Sequence, residues 1–178
     1  MDILEAIDTR RSIRKYTDMP VSEEVVIKLL RAGMQAPSAA DARPWHFVVV
    51  DDRKLLRLLA SRMPGCEMLE EAVLGLLVCA DPALEKIPGF WAQDCAVATE
   101  HILLAAHALG LGGCWIGLYP VEERTKVVSV EINIPEGIIP FALCSLGVPN
   151  ESLPPEDRYE ESKLHKNRWG QGIKTNDR

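Results

Sequence analysis

The sequence predicts one domain in which helices pack on buried strands, an α/β-type mixture, and three observations carry that expectation. The chain has 178 residues, of which 47% are hydrophobic, enough for an ordinary core. Three short apolar runs, "HFVVV" at 46–50, "VLGLLVCA" at 73–80 and "IIPFALCSLGV" at 138–148, have the composition of buried strands. Between them lie segments with apolar residues at helical spacing, among them an Ala- and Leu-rich stretch from Trp91 to Leu109.

Taken in order, Ile3, Leu4, Ala6 and Ile7 predict a short helix over 2–9 that stops before Ser12. Ser22 followed by Glu23 and Glu24 is a helix start, Val25, Val26, Leu29, Leu30, Gly33 and Met34 form its apolar stripe, and Pro37 closes it near Ala36. "APSAADARPW" reads as a polar loop leading into the strand at 46–50, and "RKLLRLLASRM" as the helix after it. The helix from Trp91 to Leu109 ends at Gly110 and is apolar on most faces, which predicts a central position with little of it facing water. "GLGGCWIGLYP" then connects to a short helix at 121–130 and a Pro-Glu-Gly turn before the last strand. Residues 151–178 carry six acids and six bases but few large apolar residues (Leu153, Tyr159, Leu164, Trp169, Ile173), too few to fold alone. That segment needs the rest of the chain, or a partner, to pack on.

Charge narrows the function. Twenty-six acids against 20 bases give −6, yet "TRRSIRKY" at 9–16 gathers Arg10, Arg11, Arg14 and Lys15. The basic cluster is therefore local, and with a pI near 5.3 the chain lacks the broad basic face of a nucleic-acid binder. Arginine forks, a serine hydroxyl and the free N–H groups beyond a helix end are the parts of an anion site; a solvated basic turn has the same sequence. The five cysteines contain no CxxC pair, and four of them sit among apolar neighbours as small core residues. His101 and His107 are six apart on one helix and share no face, so no metal site is expected. "GLGLGGCWIG" fails as a dinucleotide fingerprint, because Trp115 stands where the third glycine should and the stretch follows a helix. Ser145 lies in no GxSxG elbow, and Trp91 and Trp115 read as core or pocket wall. The start "MDILEAI" has no leader character and no apolar run approaches the ~20 residues of a membrane span, which together predict a soluble, cytoplasmic protein.

Four stretches together, "RRSIRKY", "APSAADARPWHFVVV", "GLGGCWIG" and "HKNRW", resemble the FMN-dependent nitroreductase family in order and spacing over nearly the whole chain. The resemblance implies an α+β fold with a mainly antiparallel central sheet flanked by helices. It further implies an intertwined homodimer, with two FMN sites at the interface and a C-terminal arm, 151–178, that crosses to the other subunit and adds an edge strand there.

By matching positions, the resemblance puts Arg10, Ser12, Lys166 and Arg168 on the FMN phosphate, Arg11 near the ribityl chain and Arg14 toward the pyrimidine edge, where a cation tunes the cofactor. Pro37, Ser38 and Ala39 match a loop lying against the ring from the second subunit. The backbone around Trp115, Ile116 and Gly117 matches the group that hydrogen-bonds flavin N5. Asp41 and Arg43 depart from the pattern, standing where similar proteins commonly carry Asn and Gln, and 62–72 lacks an Asn and Lys pair that larger members use. The implied activity is ping-pong transfer from NADH or NADPH to a nitroaromatic, quinone or similar acceptor, with no catalytic side chain. A specialised flavoprotein of the same fold (a dehydrogenase, dehalogenase or flavin-modifying enzyme) and a non-enzymatic anion-binding module are the alternatives.

Overall fold

A computed structural model describes residues 1–172; Ile173 lies outside them. Its elements are α1 (Ile3–Thr9), α2 (Glu23–Met34), β1 (Trp45–Val50), α3 (Arg53–Arg62), β2 (Leu74–Ala80), α4 (Trp91–Ala108), β3 (Gly112–Gly117), α5 (Glu122–Ile132) and β4 (Ile139–Gly147). Helix starts are chemically marked: Asp2 accepts from Glu5 N, Ser22 from Val25 N, and Asp52 from Lys54 N.

The four strands lie in the order β1-β2-β4-β3, and each neighbouring pair is antiparallel. The class is therefore α+β, and sequence periodicity alone, which suggested an α/β mixture, did not reach the strand directions. Both faces of the sheet are covered. Leu76 and Val78 point into a core shared with Leu29 of α2 and Ile102 of α4, while Leu77 and Cys79 point into one shared with Leu56 of α3 and Val128 of α5. This alternation explains why β2 and β4 are apolar at nearly every position instead of every second one.

Two expectations change. The stretch 110–120, read as a connection, contains the fourth strand. Its glycines weaken any strand signal, yet they are demanded by close approach: a Cβ on Gly112 would lie 2.6 Å from Ile13 Cγ2, and one on Gly113 2.9 Å from Leu146 Cδ2. Secondly, α4 buries one face through Cys95, Ala98, Ile102, Leu103 and Ala106, but its other face is half open in the single chain, with Val97 36% exposed. All five cysteines are buried and free, Cys66 included.

Beyond Asn150 the only regular element among the described residues is the 3-10 turn Glu161–Lys163. Tyr159 is 62% exposed and Trp169 90% exposed, as expected of a segment that cannot bury itself.

Candidate cofactor site

The basic segment is held in place by β3 and by residues in and just past β4. Past α1 it runs alongside β3, where Ser12 bridges Gly113 and Ile13 N donates to Gly113 O at 3.0 Å. Further along, Tyr16 bridges Pro149, Thr17 N donates to Val148 O, and Asn150 N donates to Lys15 O. The buried Tyr16 hydroxyl donates to Ile13 O at 2.5 Å and sits 2.8 Å from Ser145 Oγ, which pins the segment to β4. Burial pushes this phenol well above its ordinary pKa, so it remains a neutral donor.

Ser12, between Arg10 and Arg14, bridges Gly113, the residue before Cys114 of β3. Burial raises the pKa of that thiol; the positive charges of Arg14 and Arg10 and a hydrogen bond with Ser12 oppose the rise without cancelling it. The three arginines differ in their partners. Arg10 Nε lies 3.4 Å from Glu100 Oε1 on α4. Arg11 turns away to the arm, donating to the Pro154 carbonyl and pairing with Glu156 at 3.5 Å. Arg14 reaches only the Ser12 carbonyl, at 3.4 Å, and has no carboxylate partner among the described residues. Glu151 accepts the backbone N–H groups of Arg14 and Lys15 at 2.6 and 3.1 Å. A groove of about 800 Å³ opens beside the cluster, lined by Arg10, Glu100, Glu156, Arg158 and Tyr159 among others.

At the far end of the same strand, Ile116 is buried, while Trp115 and Gly117 are half-buried. Trp115 and Phe141 meet edge to face, with ring centroids 6.1 Å apart. A Cβ on Gly117 would meet nothing within 4 Å, and its φ is not left-handed, so neither packing nor conformation requires glycine there. Arg124 of α5 donates to Gly117 O at 2.9 Å and to Pro64 O at 3.1 Å, fixing that peptide and the segment before Cys66.

The third stretch, Pro37 to Arg43, is an irregular turn. Ser38 Oγ accepts from Arg43 N at 2.9 Å, Ala39 N donates to Asp94 Oδ1 at 2.9 Å, and the Arg43 fork grips Asp41 at 2.6 and 2.8 Å. The Arg43 hydrogen bonds hold the Asp41 carboxyl below its ordinary pKa. Asp41 thus spends its acceptors on a side chain, not on the backbone. Lys166 and Arg168 lie in an exposed turn closed by the His165–Gly172 bridge and by Lys166 N donating to Gln171 O, and neither cation has an ion-pair partner among the described residues.

These donors suit FMN. Two guanidiniums and a hydroxyl offer charge-assisted hydrogen bonds to a phosphate, and the open face at Gly117 admits the edge of a flat ring against the backbone.

The sequence model of the Nitroreductase family matches residues 7–91 and 85–148. The chain belongs to the nitroreductase family. A Methanothermobacter thermautotrophicus protein is 48% identical over 169 residues, covering 95% of this chain and 88% of its own length. The crystal structure of a Parabacteroides distasonis protein matches with a TM-score of 0.90 at 40% identity, covering 94% of this chain and 98% of the other. Both carry the words NAD(P)H nitroreductase in their names. An FMN-dependent nitroreductase from Clostridium difficile R20291 matches with a TM-score of 0.87 at 31% identity, covering 93% and 99%.

Within this nitroreductase fold, sequence reasoning missed Glu100, Arg124, Lys86 and Asp94. Asp94 and Glu100 left a faint signal as the two acids of the Ala- and Leu-rich helix, on either side of "CAVA".

Proposed function

We propose that this chain is an FMN-dependent NAD(P)H oxidoreductase of the nitroreductase type that works as a homodimer. The observation that carries the reading is the layout of β3. Ser12, flanked in sequence by Arg10 and Arg14, bridges Gly113, and the open glycine is at 117, four residues on, or about 13 Å at ~3.3 Å per residue. A phosphate and a ring joined by a short polar chain fit those two ends.

Bound FMN would supply hydride-transfer chemistry between NADH or NADPH and an electron-poor acceptor such as a nitroaromatic or quinone. The chain's own residues bind and orient. Arg10, Ser12, Lys166 and Arg168 grip the phosphate, with Arg11 beside the ribityl chain when it is not holding the arm. Arg14, which has no carboxylate partner among the described residues, faces the pyrimidine edge. The amides at Ile116 and Gly117 address N5, just ahead of the Gly117 carbonyl that Arg124 holds. Pro37, Ser38, Ala39 and Asp41 reach the ring of the second subunit's site. No side chain moves a proton, in line with a site built of cations, glycine and backbone.

The dimer is supported by apolar surface. Ile3, Leu4 and Ile7 of α1 are 65%, 69% and 53% exposed, beside the half-open face of α4. The arm 151–172, with its exposed Tyr159 and Trp169, suits a crossing onto the partner. The five unpaired thiols suit a reducing cytoplasm.

Purified protein should be yellow, or become so on adding FMN, and should bleach anaerobically with NADH or NADPH and recover with a quinone or nitroaromatic. A protein that takes up no FMN would sink the reading. A flavin that neither nucleotide reduces would favour a specialised member of the fold, to which the Asp41–Arg43 pair in the loop would then be the first clue.

A further inference from the structure

The loop from Ser38 to Arg43 is built against the preferences of its own backbone. Ala40, Asp41 and Arg43 have φ values of 51°, 52° and 49°, a left-handed region that residues with a Cβ adopt rarely. Such strain persists only where surrounding contacts over-determine it, and it gathers at functional sites. Most of the contacts here come from the surface: Lys86 Nζ donates to Ala40 O at 3.0 Å and Asp41 O at 3.2 Å, and the Asp41–Arg43 pair is exposed. One comes from the interior. Ala39 N, at the head of the turn, donates to Asp94 Oδ1 at 2.9 Å.

Asp94 is 5% exposed in the first turn of α4, and its Oδ2 is buried without a hydrogen-bond partner among the described residues. The Ala39 amide satisfies Oδ1, but the unpaired buried Oδ2 is a cost that an apolar side chain at this position would avoid. Packing alone does not account for an acid there; the loop does.

We infer that Asp94 is the positioning residue of the flavin-facing loop: from the core of each chain it fixes the Ala39 amide, and through it the strained turn that lies against the ring. Its role toward the flavin rests on the reading above, whereas the brace itself is a property of the chain alone. Asp94 acts through Ala39 and is not a catalytic residue.

The test uses full-length D94A and D94N, with amide hydrogen exchange in the FMN-free protein and FMN affinity by fluorescence quenching. In D94A, exchange across 38–43 should speed up about tenfold while β1 and the rest of α4 keep wild-type protection, and the FMN dissociation constant should rise about tenfold, the size of one lost charge-assisted bond. D94N keeps an oxygen for the Ala39 N–H, so it should restore most of the loop's protection and most of the affinity. Unchanged loop exchange in D94A, a loosening spread equally through α4 and β1, or an Asn variant no better than Ala would each overturn the proposal. A wild type that binds no FMN overturns the flavin reading. A loop that loosens in D94A while the affinity of a flavin-binding protein stays the same overturns this one.

Discussion

Arg10 Nε lies 3.4 Å from Glu100 Oε1, so an acid of α4 occupies the first arginine of the cationic cluster. Glu100 lowers the positive potential offered to a phosphate. Glu100→Gln should therefore tighten FMN about two- to fivefold, the modest gain expected for a pair this open to solvent. Arg10→Ala should loosen it about ten- to a hundredfold, since a bond to a charged group is lost. Fluorescence titration at two salt concentrations measures both, and equal affinities in all three proteins would place the phosphate elsewhere.

Two glycines of β3 should respond in opposite ways to the same methyl group. Gly117→Ala meets open space, so the FMN-free protein should be as stable as wild type or up to ~1 kcal/mol more stable, while flavin affinity drops. Gly112→Ala places a Cβ 2.6 Å from Ile13 Cγ2 and should cost about 1–3 kcal/mol of stability. Urea unfolding separates the two, and a destabilised Gly117→Ala would show that this glycine serves the fold.

The Tyr16 hydroxyl and Ser145 Oγ, 2.8 Å apart in the core, should behave as one unit. Tyr16→Phe leaves the hydroxyl of Ser145 without this partner and should cost about 1–3 kcal/mol; Ser145→Ala should cost less than that. In a double-mutant cycle the two losses should fall short of adding, and strict additivity would argue against a shared network.

His107 gives a pH signature. Its Nε2 lies 2.8 Å from Thr9 Oγ1, and that hydroxyl already donates to Glu5 O. The imidazole is thus the donor to Thr9. Burial first, and the Arg10 charge second, hold its pKa below the ordinary 6.5, against a weaker pull from Glu5. The sign follows: between the lowered folded value and 6.5, the unfolded chain binds more protons, so stability falls as pH drops through that window and this contribution is absent above it. His107→Gln should flatten the dependence in urea titrations across that range. Arg10→Ala should move the His107 titration upward by NMR; no movement would mean that Arg10 points away.

Much of this molecule was legible in its sequence, and the gaps have physical causes. The strands at 46–50, 73–80 and 138–148 announced themselves because both faces of the sheet are covered, which makes their strands uniformly apolar. β3 stayed hidden because Gly112 and Gly113 exist for Ile13, Leu146 and Leu103, neighbours that only the folded chain brings near. Arg10, Ser12 and Arg14 were close in sequence and stay close in space. Arg11 shared their appearance but faces Pro154 and Glu156, a choice set by the path of an arm about 140 residues away. Asp94 and Lys86 act on the loop from sequence distances of 55 and about 46 residues, and no local pattern encodes such a contact.

The way Tyr16 is held constrains when the cofactor segment can take shape during synthesis. Residues 12–16 emerge from the ribosome well before their mates Gly113, Ser145, Pro149 and Glu151. A nascent chain that has reached only residue 138 lacks β4, on which β3 pairs, and everything after it, so "RRSIRKY" has Gly113 but none of its other mates. A segment made long before its mates is thus among the last to become competent, and a half-made chain should therefore be unable to sequester free FMN.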